Sequence, residues 1–109
     1  MKKQIKDLSL HEVDYLVAKA EGLNPTIKRK ICIIKDNDDI WMVYSPTTNP
    51  SQAWPIIERE GINIYWMAPC EWCSETAGGD SYAKGHGKTS LEAAMRCYLA
   101  SKFRDEVEI

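Results

Sequence analysis

The sequence predicts a single α+β domain spanning residues 1–109, an antiparallel sheet of three to four strands packed with three helices. The expected order is helix, hairpin, helix, strand or strands, helix. Two observations carry this reading. Segments starting at Ser9 and Thr89 each open with a capping box and continue with apolar residues at helical spacing. Between them, two apolar runs flank a cluster of turn residues, which is the pattern of a hairpin.

The first helix is expected over 10–21. Ser9 and Glu12 form its capping box, Val13, Leu16, Val17 and Ala20 its apolar stripe, and Gly22 its stop. Asn24 and Pro25 then break the chain. Ile31–Ile34 and Ile40–Tyr44 read as antiparallel strands around the turn residues Asp36 to Asp39. Neither strand alternates cleanly, so the sheet is expected to be covered on both faces. A short second helix is expected over 52–60. Pro55 is tolerable only near its start, which places that start near Trp54. Ile62 to Met67 reads as a third strand. Pro69 to Lys88 is the least regular stretch, with a possible fourth strand near Asp80–Ala83. The last helix, 90–103, carries the stripe Leu91, Ala94, Met95, Tyr98, Leu99 and Phe103 and is expected to pack on the sheet. Asp105 to Ile109 is an acidic end, read as a fraying tail or a short edge segment.

At 109 residues the chain is long enough to bury a core without staples. A formal charge of −2 gives no whole-molecule attraction to nucleic acid or anionic membrane. No apolar run approaches the length that spans a bilayer, and no signal core follows the basic N-terminus. The expected compartment is the cytoplasm, with Cys32, Cys70, Cys73 and Cys97 as free thiols. Four Trp and five Tyr stand beside a single Phe. These are the aromatics with a polar handle, suited to binding surfaces and to core margins.

Several segments together resemble a known family. They are Tyr44-Ser45-Pro46-Thr47-Thr48-Asn49, Pro55 through Glu60, the last helix from Gly87 through Lys102, Asp105 through Glu108, and Val17 through Gly22. They resemble the NinX-like family of small bacteriophage and prophage proteins, a domain of unknown function. Residues 23–40 and 62–86 lie outside the resemblance. The stretch Ser45 to Glu60 is also similar to small phage domains of the ABA-sandwich type, which set helices against a central antiparallel sheet. The resemblance implies a phage origin and the cytoplasm of a bacterial host cell. It implies no activity, cofactor or metal, and a site built from Cys70 and Cys73 would be peculiar to this chain.

Three motifs invite a chemical reading. Cys70 and Cys73 form a C-x-x-C, half of a zinc site, with His86 and either Cys97 or Cys32 as the available partners, though no second close pair follows. A redox pair would want a helix start after Pro69, and Thr76, Gly78 and Gly79 argue against one. Gly85 to Ser90 imitates the end of a phosphate-binding loop, but Tyr82 stands where the first glycine belongs. What survives is a glycine-rich lead into a capped helix. There Gly87, Lys88, Thr89 and Ser90 could hold an anion at the helix start. The third motif is the polar loop with Tyr44, Thr47, Thr48, Asn49 and Trp54, which offers hydrogen bonds and aromatics beside a helix start. Its alternative is turn chemistry and capping. Lys28-Arg29-Lys30 reads as a solvated edge rather than a nucleic-acid footprint. No general acid–base pair or nucleophile–base arrangement is discernible.

These readings leave three classes. The leading one is a small non-enzymatic phage accessory protein that binds a host or phage protein. The second is a binder that sequesters a small phosphorylated or nucleotide-derived molecule. The third is a zinc-dependent or nucleic-acid-associated protein.

Overall fold

The computed structural model describes residues 2–76, 82–104 and 106–109. Its elements run β1 (Lys2–Gln4), a single 3-10 turn (Ile5–Asp7), α1 (Leu10–Ala20), β2 (Thr26–Lys28), β3 (Ile31–Lys35), β4 (Trp41–Val43), α2 (Pro50–Glu60), β5 (Ile62–Ala68), β6 (Glu71–Thr76), β7 (Lys84–Gly87), α3 (Ser90–Phe103) and β8 (Glu106–Glu108). The fold is α+β, with three helices among the described residues.

The expected single sheet is divided. The described strands form three small antiparallel sheets, β1-β8, β2-β3-β4 and β5-β6-β7. The acidic C-terminal end is the edge segment β8, with Val107 buried and paired in register with Lys3. The basic cluster Lys28-Arg29-Lys30 holds a tight β2–β3 turn rather than a blunt edge. Lys28 ends β2, and Arg29 and Lys30 both take positive φ, 53° and 62°. Two consecutive left-handed residues give the primed turn whose twist matches that of its flanking strands. Of the possible strand at Asp80–Ala83, Asp80 and Ser81 lie outside the described residues. Ala83 leads into β7, and its carbonyl accepts from the Thr76 N–H at 3.1 Å.

All three helices are capped by their own residues. In α1 the Glu12 carboxylate accepts from the Ser9 N–H at 2.9 Å. In α3 the Thr89 hydroxyl accepts from the Glu92 N–H at 3.2 Å. Helix α2 starts earlier than expected, at Pro50, because Asn49 caps it by accepting from the Ser51 N–H at 3.0 Å. That leaves Pro55 inside the helix. It is tolerated because Pro55 and Ser51 are both exposed, so the Ser51 carbonyl that loses its partner faces water.

The core is built around α3. Ala93, Ala94, Met95, Cys97, Tyr98 and Leu99 are all buried, which is too many for one stripe; the helix is covered on several sides, by β5-β6-β7, α1 and α2. Phe103 departs from the expected stripe and is exposed at the last turn. The approach to β7 is so close that no side chain fits between. A Cβ on Gly85 would stand 2.3 Å from the Ala93 carbonyl oxygen and 2.3 Å from the Cys97 nitrogen. A Cβ on Gly87 would stand 2.5 Å from Glu92 Cβ. The Ser74 hydroxyl of β6 donates to the Ala93 carbonyl at 2.5 Å, tying the same turn of helix to the sheet.

Two glycine substitutions separate close packing from backbone strain. Gly85→Ala drives a methyl into helix backbone and is expected to cost about 3 kcal/mol or more. Gly22→Ala meets open space and pays only for its φ of 81°, about 1 kcal/mol. Urea unfolding of the two variants beside the parent checks this. Equal losses would mean that α3 does not rest on Gly85.

Candidate functional site

The polar loop is folded inward. Tyr44, Pro46 and Thr47 are buried, and Thr47 is tied to the buried Asp14 of α1. The Asp14 carboxylate accepts from the Thr47 N–H at 3.0 Å and from its hydroxyl at 3.1 Å. Thr48 donates to the Ser45 carbonyl at 3.3 Å, and Asn49 is spent on capping α2. Trp54 is exposed, its indole N–H donating to Glu58 at 2.8 Å. Burial pushes the Tyr44 hydroxyl up to about 12 and the Cys32 and Cys97 thiols up to about 11. Those two thiols stay protonated at neutral pH.

Among the described residues the loop and the start of α3 line different cavities. Thr47 and Thr48 line one of about 270 Å³ with Leu10, His11 and Asp14. Gly87 and Lys88 line another, of about 580 Å³. Thr89 and Ser90 sit at the helix start, Thr89 as its cap. Cys70 and Cys73 point to different fates. Cys70 occupies the β5–β6 turn at φ 59° and is exposed, while Cys73 is buried in β6 with its thiol 3.5 Å from the Tyr65 hydroxyl. Their C-x-x-C bridges a hairpin turn, not a helix start. His86 pairs with Cys73 in register across β6 and β7. Among the described residues no three His, Cys, Asp or Glu side chains gather as a metal would need.

The surface feature that sequence reasoning missed is the outer face of β2-β3-β4. Among the described residues only one face of that sheet meets the core, through Cys32, Ile34 and Tyr44. The other bears Ile31, Ile33, Trp41 and Val43, with Ile31, Trp41 and Val43 exposed at 47%, 49% and 51%. The expectation of a doubly covered sheet is therefore corrected. Register sets the rows of this face: Lys28 beside Ile31, Thr26 beside Ile33 beside Val43, and Lys35 beside Trp41. The Lys35 ammonium lies 5.1 Å from the centre of the Trp41 ring system. The missed signal was the absence of alternation in Ile31–Ile34 and Ile40–Tyr44. It marks apolar residues on both faces without saying what lies over them.

β4 is also an open edge. The Tyr44 N–H donates to Cys32 and the Asp36 N–H to the Ile40 carbonyl, each at 2.9 Å. The even residues of β4 thus face β3, and the backbones of Trp41 and Val43 face outward. The Gln52 side chain covers one end as a neighbouring peptide would. Its oxygen accepts from the Ser45 N–H at 2.7 Å and its amide donates to the Val43 carbonyl at 3.0 Å. The Trp41 carbonyl and Val43 N–H beyond it meet no group among the described residues.

Comparison with known proteins identifies the chain's relatives. The family described as "Bacteriophage P22, NinX" matches residues 4–102, and the chain belongs to that family. No curated protein matches it. Among solved structures it is similar to the 2.0 Å crystal structure of a phage protein from Bacillus cereus ATCC 14579. The two are 16% identical, with a TM-score of 0.65 over 86% of this chain and 92% of that one, a likeness of fold. Among the described residues no helix is long and apolar enough to cross a membrane.

The Asp14–Thr47 pin has a pH signature. Burial raises the Asp14 carboxyl from 3.8 to about 6, against the Thr47 hydrogen bonds that lower it. The native state therefore binds this proton more tightly than the unfolded chain. Its stabilising contribution is gained as pH falls from about 6 toward about 4 and lost as pH rises through 6. Glu12 acts in the opposite sense. Its hydrogen bond from Lys3, with those from Ser9, holds it at about 2, so its contribution is lost as pH drops below 4.5. Urea unfolding across this range should show the parent gaining on Asp14→Asn as pH falls from 7 to 4. A pH-independent difference would place Asp14 at its ordinary pKa.

Proposed function

We propose that this NinX-family chain is a non-enzymatic phage accessory protein of the host cytoplasm that binds another protein, of host or phage, through the outer face of β2-β3-β4. The observation that carries the reading is the exposure of Ile31, Trp41 and Val43 on one sheet face with Lys28 and Lys35 at its corners. Contiguous exposed apolar side chains with a polar rim are what protein interfaces present. Trp is among the residue types that most often anchor binding, and Trp41 stands beside Lys35 at one end of the edge strand β4. Arg29 and Lys30, in the turn beside Ile31, extend the basic rim. The matching partner surface is an apolar centre ringed by carboxylates. The open edge of β4 adds a second mode of contact, because the Trp41 carbonyl and Val43 N–H can pair with an extended strand of the partner.

The test is a photocrosslinker placed at residue 43 in phage-infected cells, with residue 58 on the exposed face of α2 as control. A discrete heterologous adduct is expected from position 43 and none from 58. Trp41→Asp, in the same chain, should abolish the adduct while costing about 1 kcal/mol of stability, the span of strand propensity. An adduct that survives Trp41→Asp would move the interface elsewhere. One at twice the chain's mass would replace the heterologous partner with a second copy.

A further inference from the structure

Two neighbouring cavities, of about 310 Å³ and 580 Å³, lie along the flank of α3 and share three wall residues, Lys6, His86 and Arg96. They lie side by side, as a groove between the 3-10 turn, β7 and α3. Its volume falls in the range of roughly 300–1,000 Å³ usual for small-ligand sites. The groove's charge is opposite in sign to that of the chain. Three cationic side chains line it, Lys6, Lys88 and Arg96, against the carboxylates of Glu71 and Glu92, in a molecule of net charge −2; Lys84 borders it by its backbone and sets its ammonium over the Tyr82 ring, on the sheet face turned from α3.

Arg96 forms the common floor. Its guanidinium donates to the His86 carbonyl at 3.2 Å and to the Leu8 carbonyl at 2.9 Å, and it stands 3.5 Å from the Glu92 carboxylate. Its Nε–H is buried and has no acceptor in the described structure. Glu92 sits in the first turn of α3, so the helix start is already faced by its own carboxylate. The surplus positive charge therefore resides on the lysines. At the wider end the wall turns aromatic. Trp72 and Met67 line it, and Trp72 pairs in register with Gly87, which has no side chain to cover the indole.

We infer that this groove is a binding site for a small organic phosphate that carries a flat ring, a nucleotide-class ligand, with the ring on Trp72 and the phosphate drawn to Lys88 and Lys6. Stacking on an aromatic side chain accepts any base, and ammonium groups meet phosphate with strong charge-assisted hydrogen bonds. The site uses neither the outer face nor the edge of β2-β3-β4, so it stands or falls independently of the protein interface.

Calorimetric titration of the full chain with ADP, adenosine and inorganic phosphate at low salt tests it. ADP is expected to bind saturably and about tenfold or more tighter than either half-probe. Lys88→Ala and Lys6→Ala, both at exposed positions, should each weaken ADP about tenfold and leave adenosine unchanged. Trp72→Leu should bring ADP down to the affinity of phosphate, with circular dichroism confirming the fold. Phosphate binding as tightly as ADP would mean an adventitious ion only and would overturn the assignment. So would no saturable heat, or ADP affinity indifferent to both lysine variants. A short single-stranded oligonucleotide that displaced ADP at lower concentration would replace the free nucleotide with nucleic acid.

Discussion

The close seat of α3 on β7 governs the rest of the structure. Gly85 and Gly87 bring two backbones into direct contact, and the small residues Ala93 and Cys97 on the helix side leave room for it. A helix held this low on one sheet can offer its remaining surface to α1 and α2, which explains why Met95, Tyr98 and Leu99 are buried together. Arg96 then carries the constraint outward. It reaches the carbonyls of both His86 and Leu8, so that the N-terminal segment, β7 and α3 meet at one guanidinium. A second fastening lies where Arg59 of α2 grips Glu21, just beyond α1, with both outer nitrogens, at 2.9 Å and 2.7 Å. The Tyr98 hydroxyl of α3 donates to that same carboxylate.

The first and last helices were legible in the sequence because capping is local. Ser9 with Glu12, and Thr89 with Glu92, announce their helices within four residues. The hairpin of β3 and β4 was legible for the same reason. What stayed hidden depends on contacts distant in the chain. β6 turns Trp72, Ser74 and Thr76 toward α3, and β7 turns Gly85 and Gly87. Hydrophobic periodicity cannot find strands whose inward residues are serine, threonine and glycine, because those residues are there to let a helix backbone come close. β1 and β8 are three residues each, too short for any period, and only their pairing across the whole chain makes them strands.

The candidate sites follow the same logic. The loop from Tyr44 to Asn49 carries much of the resemblance to the family, yet its buried members hold α1 and its asparagine caps α2. Polar residues in a loop between regular elements read alike whether they face a ligand or a helix; Asp14, thirty-three residues away from Thr47 in the chain, decides between the two. The apolar run of β3 and β4 was visible but misassigned. Sequence pattern reports how many faces of a strand are apolar, and the number of layers over them is a property of the whole fold. The residues that misled the reading of the sheet are thus the ones that mark its open face.

Charge limits how either site can work. Whole-molecule steering is negligible at a net charge of −2, and salt screens exposed groups beyond about 8 Å at physiological ionic strength. Discrimination must therefore come from contacts within that range. On the outer sheet face this means Lys35 beside Trp41 and Lys28 beside Ile31, each a cation against an apolar neighbour. In the groove it means Lys88 near Trp72. Both arrangements pair a flat aromatic surface with a flexible ammonium, and neither side chain alone would select. The aromatic supplies area without regard to charge, while the ammonium supplies charge without regard to shape. The four tryptophans, so prominent in a chain with one phenylalanine, are placed mainly toward the surface, with Trp41, Trp54 and Trp66 exposed and Trp72 half-buried, although the indole N–H of Trp54 is already given to Glu58.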